Sequence, residues 1–273
     1  MGVAFSSGFF GFFSHAGFLA AQREFGPVPT AYAGASSGAI VAAMAACGMS
    51  DHAIKEMLFS LKKEHFWDPD PWPYVLRKAL GFFRGYTGYL KGDGFAGLLR
   101  KLPVSQFEEC NSPLVISATD LTERKETVFT RGDLIKAIQA SGAVPMLFKP
   151  VEIDGSFYVD GGVTNKCPLK ALADLVDLDT IVVHFIASEN VEKGLHGFLE
   201  KKMTPWHIQH LAVNIARQEA YQRQLEIVRM QGIEVIEVRT DTPTLGPNKL
   251  DKGPAVYESA KAKALEILSN HFR

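Results

Sequence analysis

Thr30-Ala31-Tyr32-Ala33-Gly34-Ala35-Ser36-Ser37-Gly38-Ala39-Ile40-Val41-Ala42-Ala43-Met44-Ala45-Ala46-Cys47 is the stretch whose reading decides the fold. Residues 30–33 read as a short strand, and the small and aliphatic run from Ala39 to Cys47 reads as a buried helix. Between them stands Gly34-Ala35-Ser36-Ser37-Gly38, a G-x-S-x-G pattern. A strand that turns sharply into a helix holds a serine in a strained backbone, and glycine on either side relieves the clash. The helix N-terminus behind it favours negative charge that develops there. The pattern also recurs by chance, as a small-residue turn that merely packs closely. A strand before it and a helix after it favour a nucleophile.

Outward from this turn the chain keeps alternating. Short apolar or β-branched runs predict strands at residues 2–5, 114–119, 127–130, 181–186 and 233–238. Helical spacing marks residues 13–25, 37–47, 51–62, 134–140 and 169–175. Two later helices follow Leu211, Ile215, Tyr221, Leu225 and Val228, and Val256, Ala260, Ala264, Ile267 and Leu268. Residues 151–153 and 156–159, joined by Asp154-Gly155, read as a hairpin. Such alternation indicates an α/β fold with a mainly parallel sheet covered on both faces. No repeat or low-complexity linker divides the 273 residues, so a single domain is expected.

Composition excludes several classes. The 29 basic and 30 acidic side chains leave a net charge of −1, with no basic excess to neutralise a phosphate backbone, which argues against nucleic acid. Cys47, Cys110 and Cys167 are odd in number and far apart in sequence, without C-x-x-C spacing. That excludes a disulfide scaffold and a cysteine zinc site, and it fits a reducing, cytoplasmic setting. No basic residue precedes Arg23, so the apolar start lacks the charged region of a secretory signal. Ser6, Ser7, Ser14, His15 and four glycines interrupt it too often for a membrane span. Met1-Gly2-Val3-Ala4-Phe5-Ser6 matches a myristoylation pattern on paper, but a core strand entering a glycine loop accounts for it better.

Residues 64–102 break the rhythm. Phe66, Trp67, Trp72, Tyr74, Phe82, Phe83, Tyr86, Tyr89 and Phe95 are interleaved with Arg77, Lys78, Arg84 and Lys91. One reading is a pair of core helices. The other is a cap whose aromatics and cations suit a membrane–water boundary.

Two further motifs accompany the serine turn. Tyr158-Val159-Asp160-Gly161-Gly162 sets a carboxylate on a sharp turn at a strand end, by itself a common structural feature. Ser6-Ser7-Gly8-Phe9-Phe10-Gly11 is a strand-to-helix loop whose backbone N–H groups suit an anion. It lacks the first glycine of a dinucleotide fingerprint, and an oxyanion loop serving Ser36 matches it better.

These three motifs, in this order, resemble the patatin-like phospholipase family, with support from Ala118-Thr119-Asp120-Leu121 and Ala140-Ser141-Gly142-Ala143-Val144-Pro145. The resemblance covers most of the chain. It implies a three-layer α/β/α sandwich and acyl hydrolysis of phospholipids, lysophospholipids and related lipid esters at a peripheral membrane or micelle surface. It also implies a Ser–Asp dyad with no metal and no cofactor. On this chain the nucleophile falls on Ser36, the proton acceptor on Asp160, and the oxyanion hole on the N–H groups around Ser7, Gly8 and Phe9. The chain departs from the family loop at Ser6, which replaces a glycine, and at Phe10, which replaces a basic residue. The second departure is similar to the neutral glycerolipid lipases of the family. Acyl or thioester transfer on a related fold and a non-catalytic lipid-binding protein are the alternatives.

The remaining polar candidates read as structural. His15 sits on an apolar helix, where a packed histidine is commoner than a triad member. His207 and His210 have no third ligand at zinc spacing, Asp68-Pro69-Asp70 lacks the rest of a calcium loop, and Lys261 and Lys263 suit a solvated helix face.

Overall fold

The computed structural model describes residues 1–186, 205–240, 243 and 245–272, and for residues 205–207 and 210 the backbone alone. In chain order the elements are β1 (Gly2–Phe5), α1 (Phe12–Phe25), β2 (Ala31–Ala35), α2 (Ser37–Ala46), α3 (Asp51–Phe59), α4 (Trp72–Leu80), β3 (Gly88–Leu90), α5 (Asp93–Leu99) and β4 (Leu114–Asp120). There follow β5 (Lys125–Phe129), α6 (Leu134–Ser141), β6 (Met146–Phe148), β7 (Val151–Ile153), β8 (Ser156–Asp160), α7 (Leu169–Leu175), β9 (Thr180–Phe185), α8 (Pro205–Met230), β10 (Glu234–Arg239) and α9 (Gly253–His271).

The sheet has a parallel half and an antiparallel half. β10, β9, β1, β2 and β4 lie side by side in that order, every pair parallel. Alternation along these strands feeds two cores, because successive side chains point to opposite faces. Val3, Phe5, Tyr32, Leu114, Ile116 and Val182 join α1, α2 and α9 on one face. Ala4, Ala31, Ala33, Val115, Ile181 and Val183 join α7 and α8 on the other. The result is the expected α/β/α sandwich.

One strand decides where the site forms. Ile116 of β4 pairs with Gly34 of β2 and with Phe129 of β5, and Ala118 pairs with Asp160 of β8 and with Thr127 of β5. A strand has two edges, so β2 and β8 share one edge of β4 while β5 occupies the other. β2 runs parallel to β4 and ends at Ala35, opposite Ser117; β8 runs antiparallel and ends at Asp160, opposite Ala118. The two chain ends therefore meet head to head, and the residue after Ala35 is Ser36.

Several expectations need correction. The strand expected at 127–130 is β5 and starts at Lys125, because five residues pair with β4. The helix expected over 51–62 stops at Phe59, capped at Ser60. β3 and β6, not foreseen, form a small separate parallel pair. The buried stripe of α8 runs through Asn214, Tyr221, Leu225 and Val228, whereas Ile215 is half exposed. Cys47 and Cys110, far apart in sequence, bring their sulfurs to 3.8 Å. Residues 64–102 divide: Phe66 and Phe95 are buried in the main core, while α4 buries no residue and exposes Trp72, Leu76 and Leu80, with Phe82 and Phe83 beyond it. The Asp68-Pro69-Asp70 turn anchors this segment. Asp68 accepts from the Gly92 and Gly94 N–H groups, and Asp70 pairs with Lys149 at 2.7 Å. Lys261 is not purely solvated, since it pairs with Glu24 at 2.7 Å.

Candidate active site

Ser36 stands between the last residue of β2 and the first of α2 with φ 55° and ψ −122°. For a residue with a side chain this is a strained conformation, of order 1–3 kcal/mol, and it persists only where the surroundings impose it. Here two glycines let the chain close. A Cβ on Gly34 would lie 2.4 Å from the Gly38 carbonyl oxygen, and one on Gly38 would lie 2.4 Å from that of Phe5. β1, β2 and the start of α2 are therefore in backbone contact, which only glycine permits. The Ser36 N–H donates to Ser141 Oγ at the end of α6, 2.8 Å away.

The Ser36 hydroxyl donates to Asp160 Oδ2 at 2.6 Å. Asp160 is held on every side. Its other carboxylate oxygen accepts from the Gly162 N–H at 2.7 Å, its carbonyl accepts from Thr119 Oγ1 at 2.9 Å, and its N–H donates to the Ala143 carbonyl at 2.9 Å. Burial pushes the Asp160 carboxyl up from 3.8 to about 6, against the opposing pull of the Ser36 hydroxyl, the Gly162 N–H and the Arg217 guanidinium. A carboxylate in that range, bonded to a serine hydroxyl, has the geometry and basicity of a general base.

The loop after β1 lies alongside. Gly8, Phe9 and Phe10 line the same cleft as Ser36 and Ser37. Ser7 does not offer its N–H, which donates to the Lys166 carbonyl at 2.7 Å. That removes Ser7 from the expected oxyanion donors. The hydroxyl of Ser6 explains the departure from glycine there, since it accepts from the Ile186 N–H at 2.8 Å. Phe10, at φ 52°, packs its ring against Phe9, Phe12 and Phe66.

His15 is engaged away from Ser36. Its Nε2 bonds the Ser6 carbonyl at 2.8 Å, and its Nδ1 meets His184 Nδ1 at 2.7 Å. The carbonyl can only accept, so Nε2 carries the hydrogen. Burial pushes His15 down to about 3 and His184 well below its ordinary value, so both rings are neutral. Hence His15 Nδ1 accepts from His184, and His184 Nε2 accepts from Thr240 Oγ1 at 2.8 Å. The Thr240 hydroxyl, its hydrogen spent, accepts from Ser14 at 2.9 Å. This relay ties α1, β9 and the end of β10 to the loop without reaching the Ser36–Asp160 bond.

The cleft above Ser36 has about 610 Å³ of empty space, its open mouth included, and apolar walls from Phe9, Phe12, Ile40, Phe66, Trp67, Phe95, Leu147 and Phe148. Such walls suit a hydrocarbon chain. Among the described residues no cluster of three His, Cys, Asp or Glu side chains is arranged to hold a metal ion, and no helix is long and apolar enough to cross a membrane. The side chains of His207 and His210 lie outside the described residues.

Sequence reasoning missed Arg217, His184 and Thr240. Arg217 carried a signal: it falls on the buried stripe of α8, three residues after Asn214 and four before Tyr221, where an apolar residue is the rule. The two others are polar residues in and after apolar strands and carried none.

An uncharacterised NTE family protein of Mycobacterium bovis is 30% identical over 179 residues, 65% of this chain and 46% of that protein. Omega-hydroxyceramide transacylase of Homo sapiens is 29% identical over 193 residues, 65% of this chain and 31% of that one. The chain thus spans less than half the length of these relatives. Among solved structures, VipD from Legionella pneumophila superposes with a TM-score of 0.53 at 16% identity, over 99% of this chain and 67% of that one. The patatin-like phospholipase family model matches residues 3–173, which takes in β1, the Ser36 turn and the Asp160 turn, and the chain belongs to that family.

Proposed function

We propose that the protein is a serine hydrolase of lipid acyl esters in which Ser36 is the nucleophile and Asp160 accepts its proton. The observation that carries this reading is the 2.6 Å hydrogen bond from Ser36 Oγ to Asp160 Oδ2 at the floor of an apolar cleft. Asp160 takes the hydroxyl proton as Ser36 attacks the ester carbonyl, and the tetrahedral oxyanion forms against the N–H groups of Gly8 and Phe9. Each such donor is worth about 3–4 kcal/mol of barrier. α2, whose N-terminus lies behind Ser36, adds its dipole. Collapse returns the proton to the leaving alcohol and leaves an acyl-enzyme, which water then opens by the reverse route.

The cleft takes the acyl chain, and among the described residues no cation lines it. The headgroup of a phospholipid or lysophospholipid therefore stays at the mouth, and a neutral glycerolipid needs nothing more. Residues 64–102 form a cap beside that mouth. Phe66, Trp67, Leu90 and Phe95 line the cleft, while Trp72, Leu76, Leu80, Phe82 and Phe83 present apolar surface to solvent. With Arg77, Lys78 and Arg84 among them, this face fits an anionic membrane or micelle surface, each cation adding about 1 kcal/mol near it. A second acceptor is favoured by the transacylase relative: an alcohol in place of water would convert hydrolysis into acyl transfer.

Wild type, Ser36→Ala and Asp160→Asn are assayed on p-nitrophenyl esters, defined phospholipids and neutral glycerolipids, with and without an alcohol acceptor, and labelled with a fluorophosphonate. Turnover and labelling in the wild type, lost in Ser36→Ala, are expected. Full turnover by folded Ser36→Ala overturns the reading.

A further inference from the structure

We propose that Arg217, on α8, is a positioning residue: it anchors the Asp160-Gly161-Gly162 turn through the Gly162 carbonyl and sets its guanidinium charge beside the Asp160 carboxylate. This rests on the Ser36–Asp160 reading above. It adds a participant from outside the segment that the family model matches, which ends at residue 173.

The geometry comes first. Arg217 Nη1 donates to the Gly162 carbonyl at 3.2 Å, and the Gly162 N–H donates to Asp160 Oδ1 at 2.7 Å. One peptide turn thus links the guanidinium to the carboxylate. The other carboxylate oxygen holds Ser36, so any shift of this turn is passed to the serine. α8 is itself fixed below Arg217. Tyr221, Leu225 and Val228 are buried against the sheet, and Gln224 bonds Glu126 of β5 and the Lys170 N–H.

Among the described residues, the groups around Asp160 are mostly neutral. α2 brings the Ser36 hydroxyl, its own turn the Gly162 N–H, β4 the Thr119 hydroxyl, and the loop after β1 packs the Ser7 side chain against Gly162. The nearby carboxylates face elsewhere: Asp120 takes the N–H groups of Thr122 and Glu123, and Glu126 takes Asn165 and Gln224. Among the described residues, Arg217 is the charge that acts on Asp160. Its attraction opposes burial, which drives the carboxyl towards its neutral, non-basic form, and Asp160 in turn opposes the burial that pulls Arg217 down. Arg217 is therefore placed to keep the proton acceptor both aimed and ionised. A fork of donors on a permanently charged group supplies both functions, which lysine supplies only in part.

Arg217→Gln removes the charge and shortens the reach towards the Gly162 carbonyl; Arg217→Lys keeps the charge. The rate of Ser36 labelling by a fluorophosphonate, and kcat/KM on a soluble short-chain ester, are followed against pH for wild type and both variants. The wild type should lose rate below about pH 6, where Asp160 takes up a proton. In Arg217→Gln this acid limb should move to higher pH, with the rate largely recovered on its alkaline side, while in Arg217→Lys it should stay close to the wild-type position. An unmoved limb in folded Arg217→Gln overturns the proposal, as does loss of folding in both variants, which would make Arg217 purely structural. A wild type with no acid limb near pH 6 overturns instead the assignment of Asp160 as base, and the role of Arg217 with it.

Discussion

Asp160→Asn should make the protein more stable while abolishing turnover, and the gain should depend on pH. Burial raises the Asp160 carboxyl from 3.8 to about 6 in the folded chain. Between those values the native state holds a proton that the unfolded chain has released, so stability falls as pH rises through this window. Below pH 4 the effect of this group is nil. Above pH 6 it is complete, and a shift of about two units corresponds to about 3 kcal/mol. That figure already contains the attraction of Arg217 and the bonds from Ser36 and Gly162, which act in the ionised state. Asparagine mimics the protonated acid. Its carbonyl can accept from the Gly162 N–H, and its amide can donate to Ser36 Oγ as the protonated acid would, leaving the Ser36 hydroxyl hydrogen to turn from Asp160 Oδ2. Thermal or urea unfolding of wild type and variant at pH 4 and pH 8 gives the difference, in which all other titrations cancel. The variant should gain about 3 kcal/mol at pH 8, roughly 5–10 °C in Tm for a chain of this size, and little at pH 4. Equal gains at both pH values, or no gain at pH 8, would refute the claim that a buried, raised carboxyl is being ionised at the cost of stability.

Gly38→Ala should destabilise by at least ~1–3 kcal/mol and impair Ser36 labelling, because its Cβ would meet the Phe5 carbonyl oxygen at 2.4 Å and neither backbone can yield without moving the loop. His15→Ala should cost about 2–4 kcal/mol through the cavity and the stranded His184 N–H, yet Ser36 should still react with a fluorophosphonate. Complete loss of labelling in that variant, with folding intact, would bring histidine into the chemistry. Trp72→Ala with Phe83→Ser should leave Tm and the hydrolysis of soluble esters unchanged, since both side chains are more than half exposed, while weakening binding to anionic vesicles. A collapse in Tm would return both residues to the core. Activity should persist in EDTA, and its loss there with recovery on added calcium would contradict a metal-free dyad.

Local patterns were legible where local physics decides. Alternation at Val3, Ala4 and Phe5, or at Leu114, Val115 and Ile116, reports a strand buried on both faces, because each side chain meets a different core. Gly34 and Gly38 mark a turn that no Cβ can enter: the Gly34 constraint lies within its own turn, against the Gly38 carbonyl, whereas that of Gly38 comes from the Phe5 and Ser6 carbonyls of the neighbouring strand and loop. The Asp-Gly-Gly turn was readable as a turn, and motif order linked it to Ser36. What remained hidden depends on pairs far apart in sequence. Ser36 and Asp160 are 124 positions apart, and their 2.6 Å contact arises because β2 and β8 share an edge of β4. The N–H of Ser7 looked available until Lys166, more than 150 residues on, proved to accept it. Cys47 and Cys110 looked unrelated for the same reason. The aromatic run 64–102 could not be divided into buried and exposed halves, because composition is the same whether Phe95 meets a core or Phe82 meets water. Arg217 shows the boundary most plainly: its sequence position sets it on the buried side of α8, but only the packing of that helix on the sheet brings its charge to Asp160.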